Sequence, residues 1–425
     1  MKRKIKLKYI KLLVIFSCII PIHQIKSQNT LSLNGAEGLL QKNNLLLLAE
    51  EYSISAAEAS VIQAKIWELP LLTGEINAIN PSEKKIFDVN NKGQKAFAIQ
   101  QLIYVGGKKK NEIAFAKNNV EIAKLQFEQL LRTLKYELNI TFYTLFYDLE
   151  KLKTIDNQIT KIEYILNIYQ IQEKKGNIPL KDIVRLQSLA LNFKNERNQI
   201  LHLIYENQYK LKLLIGDEND YQLLLEENEI FNSCKNISIS KDTLIKLGIK
   251  NNIDYQMQLK IATSQELYLK WQKSLAIPDL NIGASYDQRG GAFQNQVNLT
   301  FGIPIALWNR NKGNIKLSEA KLKQQNINND YSKLELTNFI EMNWKEWKNH
   351  QEQINNINAK TTNEIEEVYK GVINNFEKRN ISLLEFSDFM ESYTTNKNQL
   401  NEITKNWIIS NVKLNYITNT EILKK

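Results

Sequence analysis

Cysteine and histidine are scarce in this chain. Of its 425 residues only two are cysteine, Cys18 and Cys234, and three are histidine. Because Cys18 lies in a segment that we expect to be removed, a single cysteine would remain and no intramolecular disulfide could form. Without clustered soft ligands, the sequence contains no recognisable metal site. Motifs typical of zinc, redox and serine enzymes are absent too, so we expect no catalytic residues and no cofactor.

The first 27 residues have the order of a secretory signal peptide. Met1–Lys11 is basic without any acid, Leu12–Ile22 is apolar, and Ser27 supplies a small residue at the cleavage point. Cleavage removes seven Lys and Arg, which lowers the net charge from +10 to +3. The basic excess therefore does not indicate a nucleic-acid partner. An alternative stays open, in which Cys18 is a site of lipid attachment.

Long hydrophobic runs are missing from the rest of the chain. After the signal, no window contains 18 consecutive apolar residues, which excludes a transmembrane helix in the mature chain. If the mature chain enters a membrane, it must do so as a closed sheet, because only helices and closed sheets satisfy all backbone groups in lipid.

Proline and glycine are absent from residues 108–175, 180–215, 314–370 and 372–425, which predicts unusually long helices. We expect these helices at about 108–175, 180–215, 314–378 and 382–415. At 1.5 Å per residue the first would extend roughly 100 Å. Its apolar residues alternate steps of three and four from Ile113 to Leu134, a spacing typical of antiparallel coiled-coil packing.

Four short segments alternate apolar and polar residues with a period of two. They predict strands at about 69–79, 95–104, 278–288 and 294–305. Such alternation is typical of a membrane barrel, with apolar residues toward lipid and polar residues toward the lumen, and also of an ordinary half-buried sheet. The barrel interpretation is favoured because each pair of strands forms a plausible hairpin between helical stretches.

The chain repeats itself with a period near 205 residues. Pro70 corresponds to Pro278, and Asn177-Ile178 corresponds to Asn380-Ile381. We therefore divide the mature chain into a first repeat (28–216), an irregular equatorial segment (217–242) and a second repeat (243–425). Two strands in each repeat make four in all, too few to close a bacterial barrel, so several copies would have to share one.

Three motifs carry a resemblance to a known family. Gln101–Lys108, Ile303–Ile315 and the helix–turn–helix tips at Gly176–Asp182 and Arg379–Asp388 resemble the TolC-like outer-membrane efflux proteins. The likeness covers about residues 30–425. The turn at Leu307–Ile315 is most similar to the heavy-metal cation efflux (CzcC-like) branch, although drug-efflux relatives share much of it.

The resemblance implies a mainly α fold with a small β part. Long antiparallel coiled-coil helices would carry four strands into a shared trimeric, twelve-stranded transmembrane barrel. The implied protein is a passive conduit in the outer membrane of a Gram-negative bacterium that extends into the periplasm. Its implied partners are two further copies, a periplasmic adaptor (membrane fusion) protein, an inner-membrane pump of the RND type and outer-membrane lipid.

The cargo and the function class have alternatives. Heavy-metal cations or small toxic compounds are expected, and an exit duct for type I protein secretion or drug efflux would have the same fold. A periplasmic coiled-coil scaffold is a further alternative, although a scaffold does not need two amphipathic hairpins.

The second tip contains the first candidate site. Glu385 and Asp388 lie three residues apart, with Glu391 one turn further on, so that all three share one helical face. By the resemblance, Glu385 and Asp388 would line a periplasmic constriction, where a ring of carboxylates would attract cations.

The first tip contributes Asp182 and Arg185. The resemblance places Asp182 in the bonding network of the closed mouth, and Arg185 could pair with a carboxylate on a neighbouring helix. For all of these residues an exposed, solvated helix face is the alternative interpretation.

Overall fold

The computed structural model describes five segments of the chain, which are residues 30–225, 239–290, 292–308, 310–357 and 359–422. The predicted signal peptide, Cys18 and Cys234 lie outside these segments, as does part of the predicted equatorial segment. The side chains of residues 359–363 are not described either.

Helices form most of the described chain. In chain order they are α1 (Leu33–Asn43), α2 (Leu45–Lys65), α3 (Lys108–Glu173), α4 (Leu180–Ile215), α5 (Lys241–Asn251), α6 (Ile253–Leu275), α7 (Lys312–Asn356), α8 (Ala359–Glu377) and α9 (Leu383–Thr418). With 66 residues, α3 extends roughly 100 Å. Within the described segments, no helix is both long enough and apolar enough to cross a membrane.

Eight strands are described, and they are β1 (Thr30–Ser32), β2 (Leu71–Ile76), β3 (Ile79–Asn80), β4 (Lys85–Ile86), β5 (Gln94–Ile103), β6 (Gln222–Leu224), β7 (Leu280–Arg289) and β8 (Phe293–Gly302). Of these, β2, β5, β7 and β8 are shorter than the four predicted segments or shifted along them, and the other four had not been predicted as strands. The prediction of an irregular segment over 217–242 needs correction, because β6 pairs in parallel with β1 and α5 begins at Lys241.

Four strands form one antiparallel sheet in the order β2-β5-β7-β8. Its register places residues of like character in the same row across the sheet. Two rows of one face are Leu72, Ile99, Ala284, Leu299 and Gly74, Phe97, Tyr286, Val297. Two rows of the opposite face are Thr73, Ala98, Ser285, Asn298 and Glu75, Ala96, Asp287, Gln296.

The apolar face of this sheet is uncovered in the single chain. Leu299 and Phe301 each expose 85% of their surface, and Val297 exposes 74%. In an ordinary half-buried sheet these side chains would pack against a core. Because the register aligns the apolar residues of all four strands on one face, the weak alternation of each strand contributes to one broad exposed apolar surface.

The long helices share one extended hydrophobic core. Residues of α3, α4 and α9 supply much of it, including Phe142, Leu186 and Trp407, none of which exposes more than 1% of its surface. Two buried tryptophans fix how α7 lies along α9. Trp347 Nε1 donates to Asn411 Oδ1 at 2.7 Å, and Trp407 Nε1 donates to Gln351 Oε1 at 2.9 Å.

The single helix that we predicted over 314–378 is two helices. α7 ends at Asn356, and α8 begins at Ala359, because Ile357 has an extended backbone with ψ of 112°. The residues at 355–358 are Asn-Asn-Ile-Asn. Asparagine competes with the helical backbone for hydrogen bonds and isoleucine is β-branched, so a break needs neither glycine nor proline.

Two asparagines perform the same structural task at matching places. Asn44 caps α2 through its Oδ1, and its Nδ2 donates to Leu214 O at 2.9 Å. Asn252 caps α6 in the same way, and its Nδ2 donates to Ile417 O at 2.8 Å. Each asparagine thus ties the start of one helix to the end of a long one.

We expect Asn44→Ala to destabilise the protein by about 1–3 kcal/mol, since it removes a helix cap and leaves a buried carbonyl without its donor. Asn252→Ala should have a similar effect. Thermal unfolding followed by circular dichroism measures both, with the exposed Lys42→Ala as the control. Unfolding of Asn44→Ala at the temperature of the control would contradict this account.

Candidate functional site: the two helical tips

The turn between α3 and α4 forms the first tip. Gly176 has a left-handed backbone with φ of 74°, which glycine adopts without steric cost. Asn177 N donates to Gln172 O at 3.0 Å, and Asn177 Nδ2 donates to Gln172 Oε1 at 2.8 Å. With the bond from Gly176 N to Glu173 O at 2.7 Å, the backbone bond of Asn177 closes the end of α3 with a Schellman-type cap.

The turn between α8 and α9 repeats this geometry with one different residue. Asn380 N donates to Asn375 O at 2.8 Å, and Asn380 Nδ2 donates to Asn375 Oδ1 at 3.2 Å. The left-handed position, with φ of 63°, is occupied by Arg379 instead of glycine. A non-glycine residue costs of order 1 kcal/mol in this conformation, so Arg379 occupies a position where the backbone alone would favour glycine.

Stacked aromatic rings hold the two tips together. The ring of Phe376 on α8 lies 4.1 Å from that of Phe386 on α9 and 5.8 Å from that of Tyr169 on α3. Phe386 is fully buried. This three-ring stack is the packing that positions both turns.

The pKa of Tyr169 depends on one charged residue from each tip. Its pKa is raised mainly by burial, and also by the negative charge of Asp182, whereas the positive charge of Arg379 lowers it. Asp182 on the first tip and Arg379 on the second therefore act on the same hydroxyl. We had singled out Asp182 but not Arg379; the left-handed position that it shares with Gly176 becomes evident only in the structure.

Glu385 has a structural task that we did not expect. Its N–H donates to Ser382 Oγ at 3.3 Å, while Ser382 N and Oγ both donate to Glu385 Oε2 at 2.8 Å. This reciprocal arrangement is a capping box at the start of α9. The two bonds from Ser382 hold the pKa of the Glu385 carboxyl below its usual range. The Ser-x-x-Glu spacing was visible in the sequence and signals such a cap.

The remaining candidates lie on open surface. Asp388, Glu391 and Arg185 are exposed, and Asp182 is half-buried. In the described part of the chain, neither Asp388 nor Arg185 has a hydrogen bond or an ion pair. One chain thus leaves a carboxylate and a guanidinium available at the tips.

A second group of contacts holds α8 against α9 further from the turn. The Tyr369 and Tyr393 rings stack at 4.1 Å, and Glu366 Oε1 accepts from Tyr393 Oη at 3.0 Å and from Lys397 Nζ at 2.8 Å. Tyr369 Oη also reaches Gln158 on α3 at 3.4 Å. We had not predicted these residues, because tyrosines at helical spacing look like ordinary core positions.

No group of three or more His, Cys, Asp or Glu side chains is arranged to hold a metal ion within the described residues. The tips therefore present separate charges and not a chelating site. Such charges can act on ions that pass close to them.

The chain is similar in structure to several outer-membrane channels. It matches CusC, whose crystal structures concern folding and transmembrane channel formation, with a TM-score of 0.72 and 12% identity over 91% of both chains. It matches VceC from Vibrio cholerae with a TM-score of 0.70 and 12% identity, over 91% of this chain and 96% of that one. The Campylobacter jejuni CmeC channel gives 0.69 and 14%, over 92% and 86%.

Sequence comparison adds nothing to these matches. No protein-family model matches the chain, and no curated protein does. At 12–14% identity, the structural matches establish the fold alone. That fold, long helices carrying a small antiparallel sheet, is the TolC-like fold of outer-membrane efflux channels.

Proposed function

We propose that this protein is the outer-membrane channel subunit of a tripartite efflux system, a passive conduit from the periplasm to the exterior. The observation that carries the proposal is the four-stranded sheet, with an uncovered apolar face and a polar face, joined to long helices of which α3 extends about 100 Å. Lipid would cover the apolar face, and the polar face would line the lumen.

The edges of the sheet support assembly from several copies. β2 and β8 are its edge strands, and all of its neighbouring strands are antiparallel. With four strands in the sheet, β8 of one copy would run antiparallel to β2 of the next, so the pattern can continue without interruption. Three copies would close a twelve-stranded barrel, and no open edge would face lipid.

The partners follow from this role. A homotrimer in the outer membrane of a Gram-negative bacterium would contact outer-membrane lipid and extend into the periplasm. There it would meet a periplasmic adaptor protein and, through it, an inner-membrane pump of the RND type that supplies the energy. The protein itself would catalyse no reaction, in keeping with its similarity in fold to channels.

The cargo is the less constrained part of the proposal. Carboxylates at the tips favour cations, either heavy-metal ions or small cationic toxic compounds. An exit duct for secreted polypeptides or for drugs is the alternative, since it would have the same fold. Sensitivity of a deletion strain to metal salts, compared with its sensitivity to drugs, would separate the two.

We place the gate of this channel at the helical tips. Asp388 and Glu385 would ring the mouth in a trimer, and Asp182 would carry the charge that opposes basic residues in the closed state. Arg185 and Arg379 are the arginines near the two turns, and Arg379 shares an electrostatic neighbour, Tyr169, with Asp182 within one chain. Single surface ion pairs contribute under about 1 kcal/mol, so a stable closure requires several of them together.

The purified mature protein should form ion channels in planar lipid bilayers. It should also require detergent for extraction and migrate as an oligomer that heating converts to monomer, since barrel strands pair between chains. A water-soluble monomer without conductance would refute the proposal and favour a periplasmic scaffold. Protein prepared without the predicted barrel strands, 69–104 and 278–305, is the matched control.

Neutralising Glu385 and Asp388 together, as Glu385→Gln with Asp388→Asn, should weaken block by divalent cations and change conductance. Glutamine still accepts a hydrogen bond from Ser382, so the cap of α9 is largely kept. Because those bonds hold the pKa of Glu385 below its usual range, wild-type block should persist on acidification until the pH passes below that lowered pKa. Single-channel recording measures both, with Asp220→Asn at the equator as the control. Behaviour identical to wild type would refute the assignment.

Arg379→Gly should raise the open probability of the channel several-fold. Glycine fits the left-handed turn as Gly176 does, so the substitution removes the charge without disturbing the backbone. Arg185→Ala tests the originally predicted partner of the lock in the same recordings. If Arg379→Gly stays as closed as wild type while Arg185→Ala opens, the basic member of the lock is Arg185.

A further inference from the structure

Matching helices of the two repeats have different surroundings in the single chain. α2 and α6 correspond at an offset of 208, as Asn44 does to Asn252, and α3 and α7 correspond at an offset of 202, as Ile113 does to Ile315. α6 lies between α3 and α7, whereas α2 packs on α3 with its other side open. α7 likewise lacks the partner that α6 provides for α3.

The packed contact between α3 and α6, called the seam below, is the template for the contact that α2 and α7 lack. At one end, the Phe115 ring lies 5.3 Å from that of Tyr268 and 6.0 Å from that of Trp271. At the other end, Arg132 Nη2 donates to Asp254 Oδ2 at 2.5 Å. Three contacts share one antiparallel register along the whole seam: the Phe115 ring with Tyr268, Ser264 Oγ donating to Asn119 Oδ1 at 2.9 Å, and Gln129 Nε2 donating to Asp254.

The α3 side of this seam is a stripe with three- and four-residue spacing. Its members, all buried or half-buried, are Phe115, Asn118, Ile122, Leu125, Gln129 and Arg132. The corresponding stripe on α7 is exposed at every position. Its members are Leu317, Ala320, Gln324, Ile327, Tyr331 and Leu334.

The α6 side of the seam shows the same contrast with α2. The α6 members, all buried or half-buried, are Asp254, Met257, Ile261, Ser264, Tyr268 and Trp271. Their counterparts on α2 are exposed at every position, and they are Leu46, Ala49, Ser53, Ala56, Ser60 and Gln63. Two helices of the same chain therefore each present one uncovered stripe with the spacing of a coiled-coil seam.

The two uncovered stripes fit each other. In the transferred register, the large side chains of Ile327 and Leu317 face the small residues Ala49 and Ser60, which permits close packing of the helices. The polar pair Gln129 and Asp254 of the template is replaced by Tyr331 and Leu46, which expose 63% and 60% of their surfaces in the single chain. Burying these two side chains is favourable by a hydrophobic term without a desolvation penalty for charge.

We propose that the α7 stripe of one copy packs on the α2 stripe of the next, in the register of the α3–α6 seam, with Tyr331 on Leu46 and Ile327 on Ala49. The inference rests on the proposed trimeric channel and specifies which residues join its subunits. The helical seam continues the β8–β2 junction of the proposed barrel, because α2 precedes β2 and α7 follows β8 in the chain. The same contact, repeated three times, closes the ring.

Disulfide cross-linking of the mature trimer tests the seam. All variants carry Cys234→Ser, and the test variant adds Ile327→Cys and Ala49→Cys to the same chain. Oxidation should give covalent dimers and closed trimers that survive boiling in SDS and disappear on reduction. The template pair, Leu125→Cys with Met257→Cys, should form a disulfide within one chain and shows that such variants fold.

A register control uses Ile327→Cys with Gln63→Cys, which lies fourteen residues from Ala49 and so roughly 21 Å along the helix. It should give few or no covalent oligomers, since disulfides require Cα atoms within about 7 Å. Equal cross-linking of both pairs would overturn the register. A trimer in native mass spectrometry without the 327–49 bond would overturn the seam and leave the channel intact. A monomer would overturn both the seam and the proposed function.

Discussion

Four antiparallel strands leave the outward N–H and C=O groups of two edge strands without partners in the sheet. In water these groups can bond to solvent, but beside lipid each unsatisfied group is costly. This constraint connects the rest of the molecule, because it applies to a sheet whose apolar face is uncovered. A single copy cannot satisfy the edges and the face at once, whereas a ring of copies can. The helices are consistent with the same solution, since α2 and α7 each keep an open stripe.

Polar groups determine how the long helices lie along one another. A coiled coil built from apolar residues alone can slide by a heptad at little cost, whereas a buried amide or indole must find its partner. Trp347 with Asn411 and Trp407 with Gln351 bind α7 to α9, and Asn44 and Asn252 bind helix starts to helix ends. The hydrophobic surface thus provides the stability, and these few polar contacts provide the register.

The element types followed from local chemistry that is readable in the sequence. Stretches without proline or glycine became long helices, and period-two alternation became strands of the central sheet. The break at Ile357 was missed because three asparagines around a β-branched residue weaken a helix less visibly than proline does. The order β2-β5-β7-β8 depends on contacts between distant hairpins, which no local pattern specifies.

The residues of the two tips were likewise predictable only in part from the sequence. Asp182, Glu385 and Asp388 could be selected from spacing and resemblance, and the capping box was readable as Ser-x-x-Glu. The role of Arg379 depends on a backbone conformation and on the neighbourhood of Tyr169, and both arise only when α3, α8 and α9 pack together. Local sequence therefore marks the charges, and tertiary packing decides which of them meet.

The extended residue at Ile357 has a mechanical consequence. The helical hydrogen bonds of α7 stop at Asn356, while α8 is fastened to α9 by the Tyr369–Tyr393 and Phe376–Phe386 stacks. A sideways displacement of α8 and α9 would therefore bend the chain at Ile357, and α7 would stay straight. Since α9 continues unbroken toward the Trp407 contact, it would act as a lever arm whose fixed end lies tens of ångströms from the moving tip.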